Sequence, residues 1–465
     1  MNRNHLIAAA VVATLGCAAA SAQTVPPTLQ QVQGVSRANT LYISGSSAIS
    51  GALTNTILSS FCTPSTVQKI TSSGNNTNFI GISCVPQSGV ATNTGYYNIW
   101  IRYEGGSVSG YLPIVNNKPI KFISAAGLSN FTPAVNGNST ANGTDDSFTG
   151  VPFVSAINDL GIGDVEPQAL IGNNYPTAYS TTVWGPQNPK GLYKLAGQQL
   201  VDEVYAVYVT ETTASVTSNP FANAGSDLKL SHETLANVLN GTFTDWSQVY
   251  DISGNPVLTG SNTLPITIVD RETGSGSRAA TDILLAGDAC GATNGSALQS
   301  TLADTSGVDY FSTGDVQNAG KLIQGAVTYV SIDHALSGTN PTTVAIDIDG
   351  VVPSNLNAAQ GIYPFWVEAS YVNNTAITKG DSKAVNNIVS ALQNEATTAE
   401  LADIVAIPNV TSANGANGGA FNTDVYFKAS KSAYNNGATG SATIYVNAFS
   451  RGGVTCSNPI DNAFE

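Results

Sequence analysis

Arg271, Ser275, Gly276 and Ser277 fall within one short stretch, Val269-Asp-Arg-Glu-Thr-Gly-Ser-Gly-Ser-Arg278. Glycine lets a backbone turn sharply and approach a ligand closely. Backbone N–H groups at a helix start, together with the positive end of the helix dipole, favour an anion. An arginine adds a planar fork that holds two oxygens of a tetrahedral oxyanion. The residue types therefore describe an oxyanion cradle. They also suit ordinary helix N-capping. No Gly-Lys-Ser/Thr follows, which argues against a triphosphate loop.

The neighbouring sequence supplies elements to position such a cradle. Leu264-Pro-Ile-Thr-Ile-Val269 is apolar and β-branched, and Ala279-Ala-Thr-Asp-Ile-Leu-Leu285 is amphipathic, so the order reads strand, glycine turn, helix. The same grammar recurs earlier. Thr40–Ile43 reads as a buried strand, followed by Ser44-Gly-Ser-Ser-Ala48 and a helical spacing over Ala52–Leu58. The alternating Asn98–Tyr103 runs into Glu104-Gly-Gly-Ser107, and Lys118–Ile123 suggests a further strand. Asp164 closes Asp159-Leu-Gly-Ile-Gly-Asp164, where an aspartate between small residues also serves as a turn former. Val204–Thr210 and Gly325–Ser331 are strong strands and candidate domain crossings, while Ser231 caps a helix ended by Gly241.

At 465 residues the chain is long enough for two or three domains. Hydrophobic residues make up 42%, as in globular proteins, but charged residues only 10%, well below the usual ~25%. Asn, Ser, Thr and Gly must supply most of the polar surface, a composition that suits export. The formal charge of −14 disfavours a nucleic-acid partner, whose phosphates call for Lys and Arg. It would also not steer an anion inward from afar, so an anion site must win by local donors.

Arg3, the apolar Leu6–Leu15 segment and Ala20-Ser-Ala22 predict a signal peptide over residues 1–22, cleaved after Ala22, with lipidation at Cys17 as a competing reading. No later stretch is long and apolar enough to span a membrane. Cys62, Cys84, Cys290 and Cys456 then remain, an even count that favours disulfides in an exported chain. Four cysteines allow three pairings; locality favours Cys62–Cys84, which leaves Cys290–Cys456. A zinc site is disfavoured, because there is no Cys-x-x-Cys and only His232 and His334 remain in the mature chain. No cofactor or metal is expected. Ser275 has no nearby base and no carboxylates show metal-ligand spacing, so the expectation is a binding protein and not an enzyme.

Taken in order, these loops resemble the phosphate-binding branch of the type II periplasmic binding proteins, the substrate-binding proteins of phosphate ABC transporters. The resemblance is carried by Ile43-Ser-Gly-Ser-Ser47, Gly105-Gly-Ser107, Asp159–Asp164, Leu235–Gly241 with Thr244-Asp-Trp246, Arg271–Ser277, Gly325–Val330, Asp349-Gly-Val-Val-Pro353 and Gly361-Ile-Tyr-Pro364. It implies an α/β fold of two lobes with central mixed sheets, a two-strand hinge and a ligand cleft between the lobes. Lobe one would comprise about 38–204 plus 335–465, with a polar insertion near 111–150 and an Asn/Gly-rich tail beyond 410. Lobe two would comprise 205–334.

The resemblance further implies a ligand set. Arg271, Ser275, Gly276 and Ser277 match the family's Arg-x-Asp-Gly-Ser-Gly-Thr motif. Ser46 and Ser47 supply first-loop donors, Ser107 matches the second-loop serine, and Asp164 the aspartate that accepts a proton from hydrogen phosphate. Sulfate has no such proton to give. Two departures stand out: Thr273 replaces the aspartate that holds the arginine, and Ala48-Ile49 removes a hydroxyl, making Ile49 an unsuitable contact. The implied function is exported capture of phosphate, or a related oxyanion, for an ABC permease, in the periplasm or outside the cell. The alternative is a secreted or surface structural protein that keeps this fold with weak or no phosphate binding.

Overall fold

The computed structural model describes residues 25–71, 78–131, 153–171, 174–175, 191–192, 195, 197–286, 309–310, 312–334, 338–339, 341–354, 357–358, 361–374, 380–393, 449–450, 455 and 460–461. The expected signal peptide with Cys17, Cys290, Cys456 and nearly all of the tail beyond 410 lie outside the described residues.

The chain opens with α1 (Leu29–Gln33), β1 (Thr40–Gly45) and α2 (Ser50–Thr56). A hairpin and its neighbour follow: β2 (Gln68–Thr71), β3 (Phe79–Cys84) and β4 (Tyr97–Arg102). Then come α3 (Gly106–Asn116), β5 (Ile120–Ile123), β6 (Phe153–Ala156) and β7 (Leu160–Gly163). The long β8 (Gln198–Thr210) leads to β9 (Leu228–Leu230), α4 (His232–Leu239), β10 (Thr267–Val269) and α5 (Gly276–Leu284). Finally there are α6 (Thr313–Gly320), β11 (Ala326–Ser331), β12 (Gly338–Thr339), β13 (Thr342–Ile348) and β14 (Trp366–Asn373).

Twelve of these strands form one mixed sheet along the path β10-β11-β8-β14-β7-β1-β4-β3-β2, with β13 joining β8 to β9 and β12 pairing with β13. The pairs β1–β4, β1–β7 and β10–β11 are parallel. Strands β1, β4 and β7 are buried along their whole length, as expected for parallel strands covered on both faces. Strands β5 and β6 make a separate antiparallel ribbon. Helix α3 and β5 occupy the first part of the stretch expected as a polar insertion, and residues 132–150 lie outside the described residues.

Strand β8 is the shared element. From Gln198 to Val204 it pairs antiparallel with β14, and from Tyr205 to Val209 with β11. The second crossing was expected at Gly325–Ser331, the stretch that holds β11. Strands β11 and β13 both pair with the latter half of β8, so the chain returns to the β14 side between Ile348 and Trp366. Lobe two was expected to end at 334; β13 (Thr342–Ile348) pairs with the same half of β8 as β11 does. Cys62 and Cys84 are joined, with Cα atoms 5.6 Å apart. Ile49 is fully buried in the core with Leu41, Ile43 and Leu53, away from any ligand role.

Candidate functional site

The candidate residues sit just beyond the carboxyl ends of β1, β4, β7 and β10, where open α/β sheets place their ligands. Each loop is built for close approach. Gly45 has φ +144°, and a Cβ there would run into the Ile162 carbonyl, so β1 can leave the sheet beside β7 only with glycine at this point. Gly106 has φ +60°, and a Cβ on it would lie 2.8 Å from Ser275 Cα. The second loop and the Arg271 loop are therefore in backbone contact, and Val108 N–H donates to the Gly274 carbonyl at 2.9 Å.

The hydrogen bonds connect all four loops. Ser107 Oγ accepts the N–H of Asp164 at 3.0 Å and the N–H of Gly276 at 3.1 Å. Ser277 Oγ donates to Asp164 Oδ2 at 3.3 Å and lies 3.5 Å from the Tyr205 hydroxyl. Arg271 Nη1 donates to Ser277 Oγ at 3.5 Å and to Thr313 Oγ1 at 3.3 Å, while its Nε donates to the Tyr310 carbonyl. Thr313 N–H donates to Ser47 Oγ at 3.3 Å. Ser46 Oγ accepts Ala48 N–H at 3.0 Å. Ser275 serves as the N-cap of α5, its Oγ accepting Arg278 N–H. The structure thus brings Ser46, Ser47, Ser107, Asp164, Arg271, Ser275, Gly276 and Ser277 to one place, with Ser275 turned to capping.

Asp164 is buried, and burial pushes its carboxyl above the usual carboxylate range. The Ser46 hydroxyl, the Arg271 charge and the Tyr205 and Ser277 hydroxyls pull the other way. The result is a desolvated acceptor ringed by hydroxyls, opposite a buried guanidinium. Such a group accepts a proton-bearing oxygen far better than a bare oxyanion.

Behind the cradle, Asp270 anchors the Arg271 loop. Its Oδ1 accepts Arg271 N–H at 2.7 Å and the Tyr329 hydroxyl, and its Oδ2 pairs with Arg278 Nη1 at 3.0 Å. Arg278 also donates to the Arg271 carbonyl at 2.7 Å. Burial raises Asp270 to about 6, against the opposing charge of Arg278.

Tyr205, Thr313 and this Asp270–Arg278–Tyr329 cluster join the candidate site by hydrogen bonds and were not singled out from the sequence. Thr313 carried a signal, since Ser312-Thr-Gly-Asp315 opens a helix with a capping pattern and Ser312 Oγ accepts Asp315 N–H. Tyr205 carried none beyond its place in a strong strand. Among the described residues there is no group of three or more His, Cys, Asp or Glu side chains that could hold a metal ion, and no helix long and apolar enough to cross a membrane.

Residues 204–404 match the family model of the PBP superfamily domain, a span that includes the Arg271 loop and α6. The match agrees with the resemblance drawn from the motifs. No curated protein matches the chain. Among solved structures it is similar to a protein from Clostridium perfringens solved with bound phosphate, at 12% identity and TM-score 0.41, covering 76% of this chain and 93% of that one. It is similar also to an ABC-type phosphate transport receptor from Vibrio cholerae, at 15% identity and TM-score 0.38, with coverage of 76% and 93%. A third is a phosphate-binding protein from Stenotrophomonas maltophilia, at 13% identity and TM-score 0.34, with coverage of 82% and 97%.

Proposed function

We propose that the chain is a solute-binding protein that captures phosphate between the two halves meeting at β8. The observation that carries the reading is the convergence of a buried arginine, Arg271, and a buried carboxylate, Asp164, on one hydroxyl, Ser277 Oγ. Hydrogen phosphate offers both acceptor oxygens and a donor O–H, so it satisfies both groups at once. Arg271, the Ser47 and Ser277 hydroxyls and the Gly276 N–H would donate to the anion, and Asp164 would accept its proton. Ser107 Oγ now takes the Gly276 N–H that an anion oxygen would take, so binding exchanges an internal acceptor for a ligand one.

The PBP superfamily match over residues 204–404 supports this reading. The sheet halves on either side of β8 act as the two lobes, closing over the anion and excluding water. Export past the inner membrane and delivery to an ABC permease complete the proposed role. The chemistry requires no covalent step.

The test is calorimetry on the purified mature chain, stripped of bound ligand, with sulfate as control. Micromolar or tighter binding of phosphate alone, lost in Arg271→Ala, is the expected result. Absence of heat with either anion would overturn the proposal and favour a secreted or surface structural role for the same fold.

A further inference from the structure

We infer that Thr313 is a positioning residue of the same anion site, holding Arg271 and Ser47 in register across the two halves of the sheet; the inference rests on the reading of those two residues as ligand donors. Thr313 is buried at the first turn of α6. Ser312 fixes that turn, its Oγ donating to Asp315 Oδ2 at 2.8 Å and accepting Asp315 N–H at 3.2 Å. The Thr313 backbone is therefore set by its own helix before it meets the site.

From that fixed point one bond reaches Arg271 and two reach Ser47. Thr313 Oγ1 accepts from Arg271 Nη1 at 3.3 Å and shares a hydrogen bond with Ser47 Oγ at 3.2 Å. Its N–H donates to the same Ser47 Oγ at 3.3 Å. A guanidinium is planar, so holding two of its nitrogens fixes the direction of the whole fork. Arg271 Nε is held by the Tyr310 carbonyl at 3.2 Å and Nη1 by Thr313. One anchor, Tyr310, lies just before α6, and the other, Thr313, is the first residue of that helix. Thr313 Oγ1 already accepts from Arg271, so its own proton is available to Ser47; with that sense of donation Ser47 Oγ accepts twice from Thr313 and keeps its hydroxyl proton to offer an anion. One threonine thus sets the aim of a cation on one side and the donor sense of a hydroxyl on the other.

Valine matches threonine in shape but lacks the hydroxyl, and serine keeps the hydroxyl while losing the methyl group. Calorimetry with inorganic phosphate should show Thr313→Val weakened by about tenfold to a hundredfold, the range for losing a hydrogen bond to a charged group, with Thr313→Ser within about threefold of wild type. The second readout needs no anion: hydrogen exchange at Arg271 Nε, followed by NMR after arginine-selective isotope labelling. Exchange should be slow in wild type and Thr313→Ser, and at least several-fold faster in Thr313→Val. If Thr313→Val fails to fold, Thr313→Ala carries the same expectations. Equal phosphate affinity and equal exchange in the valine and wild-type chains would overturn the inference. If wild type itself binds no phosphate, the phosphate reading fails, and the exchange measurement alone decides whether Thr313 positions Arg271.

Discussion

Ser107 Oγ lies 3.1 Å from the Gly276 nitrogen and accepts its N–H, joining residues 169 positions apart across the junction of the two half-sheets. Gly276 is the first residue of α5, so the bond uses one of the N–H groups that a helix start leaves without an internal partner. The same oxygen takes the Asp164 N–H. One hydroxyl thus draws the second loop, the Asp164 loop and the Arg271 loop onto a common point.

That closeness makes Gly276 intolerant of a side chain. A Cβ there would lie 2.8 Å from Asp164 Cβ and inside contact distance of Ser107 Oγ. Gly276→Ala should destabilise the chain by about 1–3 kcal/mol, the range for overpacking, and lower phosphate affinity by about tenfold or more. Denaturant unfolding and calorimetry check the two outcomes separately. Wild-type values for both would mean that the loops are further apart than the hydrogen bonds require.

Asp164 is the proton acceptor in the proposed phosphate site. On that reading a buried carboxylate would repel sulfate and accept the proton of hydrogen phosphate, so Asp164→Asn should bind phosphate at least about tenfold more weakly and narrow the preference over sulfate. Burial raises its carboxyl above the ordinary range, so phosphate affinity should decline as pH falls through that raised value and Asp164 takes up its own proton. Competition calorimetry at several pH values tests both. A selectivity unchanged in Asp164→Asn would remove Asp164 from the site.

Arg278 has a structural task. It pairs with buried Asp270 at 3.0 Å and with Asp309 at 3.4 Å, and it holds the Arg271 carbonyl. Removing one partner of a buried pair leaves an uncompensated charge, so Arg278→Gln should cost about 3–5 kcal/mol. Chemical denaturation measures this directly. A cost below about 1 kcal/mol would show that Asp270 is satisfied by Tyr329 and the Arg271 N–H alone.

Much of this was legible from local chemistry. The β-branched run before Val269, the left-handed Gly274 (φ +92°) and the amphipathic helix give strand, turn and helix without tertiary information. Ser231 as a helix cap and Cys62 with Cys84 are likewise short-range statements. Asp164 was legible only through the order of the motifs, because an aspartate after glycines is equally a turn former. Thr313 meets Ser47 across 266 residues, and nothing in the spacing of either carries that meeting. The pairing of the strands near the expected return crossing was illegible for a similar reason. Strands β11 and β13 are both largely buried, and only their shared pairing with the latter half of β8 puts them on one side.

The pH dependence of stability has a separate origin in Asp347 on β13. Burial, reinforced by the nearby Asp227 carboxylate and opposed by Lys229, raises Asp347 to about 7. The folded chain therefore keeps a proton that the unfolded chain releases near pH 4. Between those values the native state binds more protons at this group than the unfolded state does, so the contribution of Asp347 to stability falls as pH rises from about 4 to about 7. Asp270, raised to about 6, acts in the same direction over the lower part of that window. Asn cannot ionise, so Asp347→Asn should match wild type at pH 4 and exceed it by about 1–3 kcal/mol at pH 8, allowing for partial solvent screening. Denaturation midpoints across that range give the slope. If the two chains have parallel curves, Asp347 is ionised throughout and Lys229 outweighs burial.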